Sequence, residues 1–179
     1  MKKFGLPIGL VAIVAVLVGL FIAGNNSKPA VKDKNKTLLG TVHANQGQTH
    51  IQPGTPHETY NSNPPSSGSH YPQPATWGIK DSALPDEQLV HNLEHGGINI
   101  FYKPNLPKDQ IEKLKSIYGK LPSSEQFNEV KAILAPRAAN EHPIELVAWT
   151  YTYSLTTPDE AKILQFYNDH LDKGPELVP

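Results

Sequence analysis

The stretch Pro85-Asp86-Glu87-Gln88-Leu89-Val90-His91-Asn92-Leu93-Glu94-His95-Gly96-Gly97 holds the start, the stop and both faces of one helix. Proline suits the first helical position, because its missing N–H would have no intrahelical partner there. Asp86 and Glu87 then set negative charge against the positive end of the helix dipole. Gly96 is a left-handed stop just past the last helical residue. These signals predict a helix from Pro85 to His95. Its spacing gathers Leu89, Val90 and Leu93 toward a core, and His91, Glu94 and His95 on another side, since residues three and four apart are surface neighbours. His-x-x-Glu-His is also an inverted zinc motif of one class of metallopeptidases. The plain alternative is that the imidazoles complement the negative helix end, with Glu94 as their surface partner.

Downstream, Ile98 to Tyr102 reads as a strand and Pro107 to Leu121 as an amphipathic helix with Ile111, Leu114, Tyr118 and Leu121 on one face. Val130 to Leu134 reads as a short strand, and Ile144 to Tyr153 as one longer strand rich in β-formers. Thr157-Pro158-Asp159-Glu160 reads as a capping box opening a helix to about Lys173, stopped by Gly174-Pro175. Strand–helix–strand implies a right-handed parallel crossover, with the next strand pairing antiparallel. The expected fold class is α+β, a small two-layer sandwich.

Upstream, residues 40–78 carry His43, His50, His57 and His70 among many prolines, with Tyr60, Tyr71 and Trp77. The prolines forbid long regular structure, while a flexible linker seldom carries such aromatics. This Pro-rich irregular segment is therefore expected to lie docked across the domain. Residues 25–39 are polar and read as a linker. Before them, Lys2 and Lys3 precede Phe4 to Gly24, a run without charge whose 21 residues span roughly 30 Å as a helix. Its length favours an uncleaved anchor over a cleaved signal peptide, and the lysines place the N-terminus in the cytoplasm. The expected organisation is a transmembrane anchor over 1–24, a linker over 25–39 and an extracytoplasmic domain over 40–179.

Composition narrows the chemistry. The formal net charge of -1 gives no basic footprint for nucleic acid. Cysteine is absent and Met1 is the only methionine, which excludes disulfides, thiolate or thioether metal sites and a cysteine nucleophile. No Gly-rich phosphate loop or Gly-x-Ser-x-Gly elbow occurs. Five of the eight histidines fall between residues 50 and 95, and an imidazole–carboxylate set suits copper or zinc. The candidate ligands are His91 and His95 with His70 and either His50 or His57, and Glu94 as a ligand or as the group that orients an imidazole. His142 and His170 read as surface residues. Two other readings stand beside metal binding. One is a zinc hydrolase with Glu94 as general base and Glu160 or Glu176 as a further ligand; the other is a non-enzymatic module that docks a protein partner.

Asn63-Pro64-Pro65-Ser66-Ser67-Gly68-Ser69-His70-Tyr71, the following Trp77-Gly78, Leu89 to Gly97, and Gly174-Pro175-Glu176 together resemble domain-of-unknown-function family 3105 over about residues 40 to 178. The resemblance implies a prokaryotic protein with an N-terminal membrane anchor. It also implies that His70, His91, Glu94 and His95 belong to one functional unit, and it brings no activity with it.

Overall fold

Three five-residue strands are buried along their whole length: β3 (Ile98–Tyr102), β4 (Ala132–Pro136, save its last residue) and β5 (Ile144–Ala148). Strands with this pattern need cover on both faces. In the computed structural model of the chain, which describes residue 1 and residues 37–179, both faces are covered. The central strands form one mixed six-stranded sheet with β1 (Thr41–Val42), β2 (Gly78–Ile79) and β6 (Tyr151–Leu155), in the order β1-β6-β5-β3-β4-β2. β3 runs parallel to β4, and β4 parallel to β2; β5 pairs antiparallel with β3 and with β6, as β6 does with β1. Both edge strands are two residues long, which leaves little unpaired ladder for another chain.

Alternation along each strand sorts the core into two clusters. Ile98, Ile100, Leu134, Ile144 and Leu146 pack with Leu114 and Ile117 of helix α2 (Lys108–Tyr118) and with Ile163, Phe166 and Tyr167 of helix α3 (Glu160–His170). Phe101, Ile133, Ala135, Val147 and Trp149 face the other way, against Leu89, Val90 and Leu93 of helix α1 (Asp86–Glu94). Helices thus cover both faces, which corrects the two-layer expectation: α1 forms a third layer. Burying its three apolar side chains contributes about 1.5–3 kcal/mol each.

Local chemistry explains where the elements depart from expectation. Ile144 to Tyr153 is two strands joined by Trp149-Thr150, with Thr150 at φ 62°. Neither residue is a usual hairpin-turn residue, so the turn is invisible in the sequence. α3 is capped by Asp159, whose carboxylate accepts from the Lys162 amide at 3.1 Å, and the expected Thr157 box does not form. His170 is buried, between the rings of Tyr151 and Phe166, and its Nε2 lies 2.8 Å from the Leu39 carbonyl.

Residues 37–179 form one compact unit. The expected anchor over 1–24 and the linker up to residue 36 lie outside the described residues. Among the described residues no helix is long and apolar enough to cross a membrane.

Candidate metal centre

α1 ends as its glycines dictate. Gly96 sits at φ +79°, its N–H donates to the Leu93 carbonyl, and the Gly97 N–H donates to that of Asn92. This paired closure is the Schellman motif. It fixes the last helical turn, which carries His91, Glu94 and His95.

The proline-rich segment brings the remaining groups. His50 and His70 face each other in a parallel bridge, with the Ile51 N–H on the His70 carbonyl and the His70 N–H on the Thr49 carbonyl. Asn92 holds the segment onto α1, its amide pairing with both main-chain groups of Ala75 at 2.9 and 2.8 Å. The Tyr71 N–H donates to the Glu87 carbonyl. Glu58 receives the Ser69 amide and hydroxyl, steadying the turn before His70.

His50, His70, His91 and Glu94 converge, with one ligand atom from each lying within 4.8 Å of all the others. His70 Nε2 is 2.9 Å and His50 Nε2 3.4 Å from Glu94 Oε2. The rings of His50 and His91 stack at 5.1 Å, and His70 stands edge-on to both. Glu94, His70 and His91 are buried, whereas the His50 side chain is 44% exposed.

Tautomers decide what these rings offer. His70 Nδ1 lies 2.8 Å from the Gly68 carbonyl, and His91 Nδ1 2.7 Å from that of Tyr71. His95 Nδ1 is 3.0 Å from the Pro179 main-chain oxygen. A carbonyl only accepts, so each Nδ1 carries the hydrogen and each neutral ring turns an Nε2 lone pair inward. Two lone pairs then meet across 2.9 Å between His91 and His95, and His70 presents another to a carboxylate oxygen. Each such contact calls for a proton or a cation between its atoms. Imidazoles whose second nitrogen is held by a carbonyl are the usual form of metal-ligating histidine.

The surroundings favour the metal-binding protonation states. Burial foremost, with the adjacent His95 and His70, holds His91 below the ordinary imidazole value against the pull of the Tyr71 carbonyl and Glu94. Burial alone would raise Glu94; the Gln48 amide at 2.8 Å and the His70 and His91 rings outweigh it and hold the carboxylate below its ordinary value.

Of the sequence candidates, His57 lies apart: its Nδ1 meets the Glu58 carbonyl and its Nε2 is 3.4 Å from Glu87. Of the two residues left open, His50 is the one that the structure brings to the cluster. His95 borders the group through His91, and Glu176 lies 3.8 Å from His95. Glu160 pairs with Lys120 instead. Two contributors escaped sequence reasoning. Gln48 precedes His50 by two positions, and in an extended segment such residues share a side, so the signal was there. Lys131 falls within the expected strand from Val130 to Leu134 and drew no reading of its own, yet it is fully buried. Its ammonium reaches the His95 and Val178 carbonyls and Asp172, beside the Phe127 ring.

A family model described as "Protein of unknown function (DUF3105)" matches residues 50–178. The chain belongs to this family. The matched span includes the whole His/Glu cluster and the tail that reaches back to it. No curated protein and no solved structure matches the chain.

Proposed function

We propose that this member of the family is a membrane-anchored, extracytoplasmic domain that binds a transition metal ion, copper or zinc, through His50, His70, His91 and Glu94. One observation carries the reading: imidazole lone pairs, two of them fixed by main-chain carbonyls, converge with a carboxylate, and three of the four side chains are buried. Two donors each about 2.0–2.1 Å from one ion, at tetrahedral or square angles, stand about 2.9–3.4 Å apart, and the contacts of Glu94 Oε2 measure 2.9 and 3.4 Å. Three nitrogens and one oxygen form a set for Cu(II) or Zn(II). Its role is metal handling at the membrane surface; the charge-free run over residues 4–24 behind two lysines supports the anchor and its orientation.

The hydrolase reading is weaker on a specific ground. Glu94 Oε2 lies among the converging imidazole nitrogens, 2.9 Å from His70 Nε2 and 3.4 Å from His50 Nε2, the position of a ligand and not of a general base set beside a metal-bound water. Calorimetric titration of the purified full chain with Cu(II) and with Zn(II) tests the proposal. One equivalent bound, with affinity lost in His91→Ala, is expected. A chain that stays metal-free under excess of both ions overturns it.

A further inference from the structure

The inner cluster does not use every metal-ligating group at this helix end. His95 Nε2 lies 2.9 Å from His91 Nε2, a separation at which two nitrogens bind one ion side by side. Glu176 Oε2 is 3.8 Å from the same His95 nitrogen. The two positions share His91. Glu94 and His70 of the inner set are sealed and only its His50 is open, at 44% exposure, while the outer carboxylate, Glu176, is 45% exposed. His95 also lines a surface cavity of about 230 Å³ with Trp77, Asn92, Glu129 and Pro179.

We propose that His91, His95 and Glu176 form an outer metal position, at which a divalent ion is first captured and from which it passes to the inner set with His91 as the ligand common to both. This inference rests on the metal-binding reading. A shared ligand lets one bond persist while the others are exchanged, so the ion never returns fully to water between positions. The outer set has three donors and a half-exposed carboxylate, against four donors inside, so the ion rests inside at equilibrium. His95 and Glu176 therefore govern rates, and His50, His70, His91 and Glu94 govern affinity. The tail that carries Glu176 is fixed for this task by the Glu176 N–H on the Glu94 carbonyl and by Lys131 on the Val178 carbonyl.

The test is rapid mixing of the full chain with Cu(II), followed by quenching of tryptophan fluorescence; the Trp149 ring lies 6.5 Å from that of His70. His95→Ala and Glu176→Gln are each expected to slow capture and chelator-driven release at least fivefold while changing the equilibrium affinity less than twofold. Thermal melts of both metal-free variants check that the tail stays docked, and Glu176→Gln retains its main-chain bond. Capture within twofold of wild type in either variant would overturn the outer position and leave entry to the exposed His50 side. Affinity lost in His95→Ala as fully as in His91→Ala would also overturn it, by making His95 an equilibrium ligand. If wild type binds no Cu(II) at all, the metal-binding reading itself falls; if it binds and the rates do not change, only this inference does.

Discussion

Replacing Gly174 by alanine should detach the C-terminal tail from the end of α1. A Cβ at this position would stand 2.1 Å from the Glu94 carbonyl oxygen, 2.3 Å from the Gly96 nitrogen and 2.7 Å from the Leu93 oxygen. All three are main-chain atoms of a closed helix terminus, so no rotamer change relieves the overlap. The cheapest relief is for the tail to lift, and its attachments then limit the cost. Lifting breaks the Glu176 N–H bond to Glu94, the Lys131 bond to Val178 and the His95 bond to Pro179. Leu177 and Val178 are exposed in the docked state, so little apolar burial is lost with them. Two neutral hydrogen bonds at about 1 kcal/mol each and one charged bond at about 1.5 kcal/mol or more give a loss of about 3–4 kcal/mol. At a urea m-value of about 2 kcal/mol/M this lowers the unfolding midpoint by roughly 1.5–2 M. Hydrogen exchange should at the same time show the Glu176 amide losing its protection. A midpoint lowered by less than about 0.3 M, with that amide still protected, would refute the reasoning.

Other substitutions probe the centre and its supports. Glu94→Gln removes the anionic ligand and should weaken metal binding at least tenfold, about 1.4 kcal/mol, so the metal-induced rise in Tm shrinks by about 3–5 °C; an equal Tm loss with and without metal would instead make Glu94 a structural strut. Lys131→Met leaves the Asp172 carboxylate and two carbonyls without their cation and should cost about 3–5 kcal/mol in urea denaturation; a loss under about 1 kcal/mol contradicts the role given to this lysine. Metal-free protein should lose stability in two stages on acidification. His91 titrates below its ordinary 6.5, so the unfolded chain takes up protons first and stability falls as pH drops below 6.5; Glu94, below its ordinary 4.5, adds a second loss below that value. A stability profile flat from pH 7 to pH 5 would contradict the first stage.

What the sequence made legible follows from how local each cause is. The faces of α1, its glycine stop and the parallel β3–α2–β4 unit rest on short-range spacing and end signals, and the structure has them. The Trp149-Thr150 turn rests on a positive φ that threonine does not advertise, so two strands read as one. The third layer was hidden for a different reason. His91, Glu94 and Asn92 make α1 look half-solvated, yet the proline-rich segment covers that side by bonding to Asn92, Glu87 and Glu94. Candidate ligands could be ranked by residue type and crowding alone, but the choice between His50 and His57 depends on which of them bridges to His70. Lys131 was opaque because its partners, the His95 and Val178 carbonyls, lie in two distant segments.

The central claim is that one ion is held by His50, His70, His91 and Glu94, and anomalous diffraction from crystals grown with Cu(II) or Zn(II), collected across the metal's absorption edge, tests it most directly. The account predicts one peak about 2.0–2.2 Å from three imidazole Nε2 atoms and the Glu94 carboxylate, unchanged in His57→Ala and absent in His91→Ala. A peak at His57 and Glu87, or at His142 and Glu145, with none at the cluster, would contradict it.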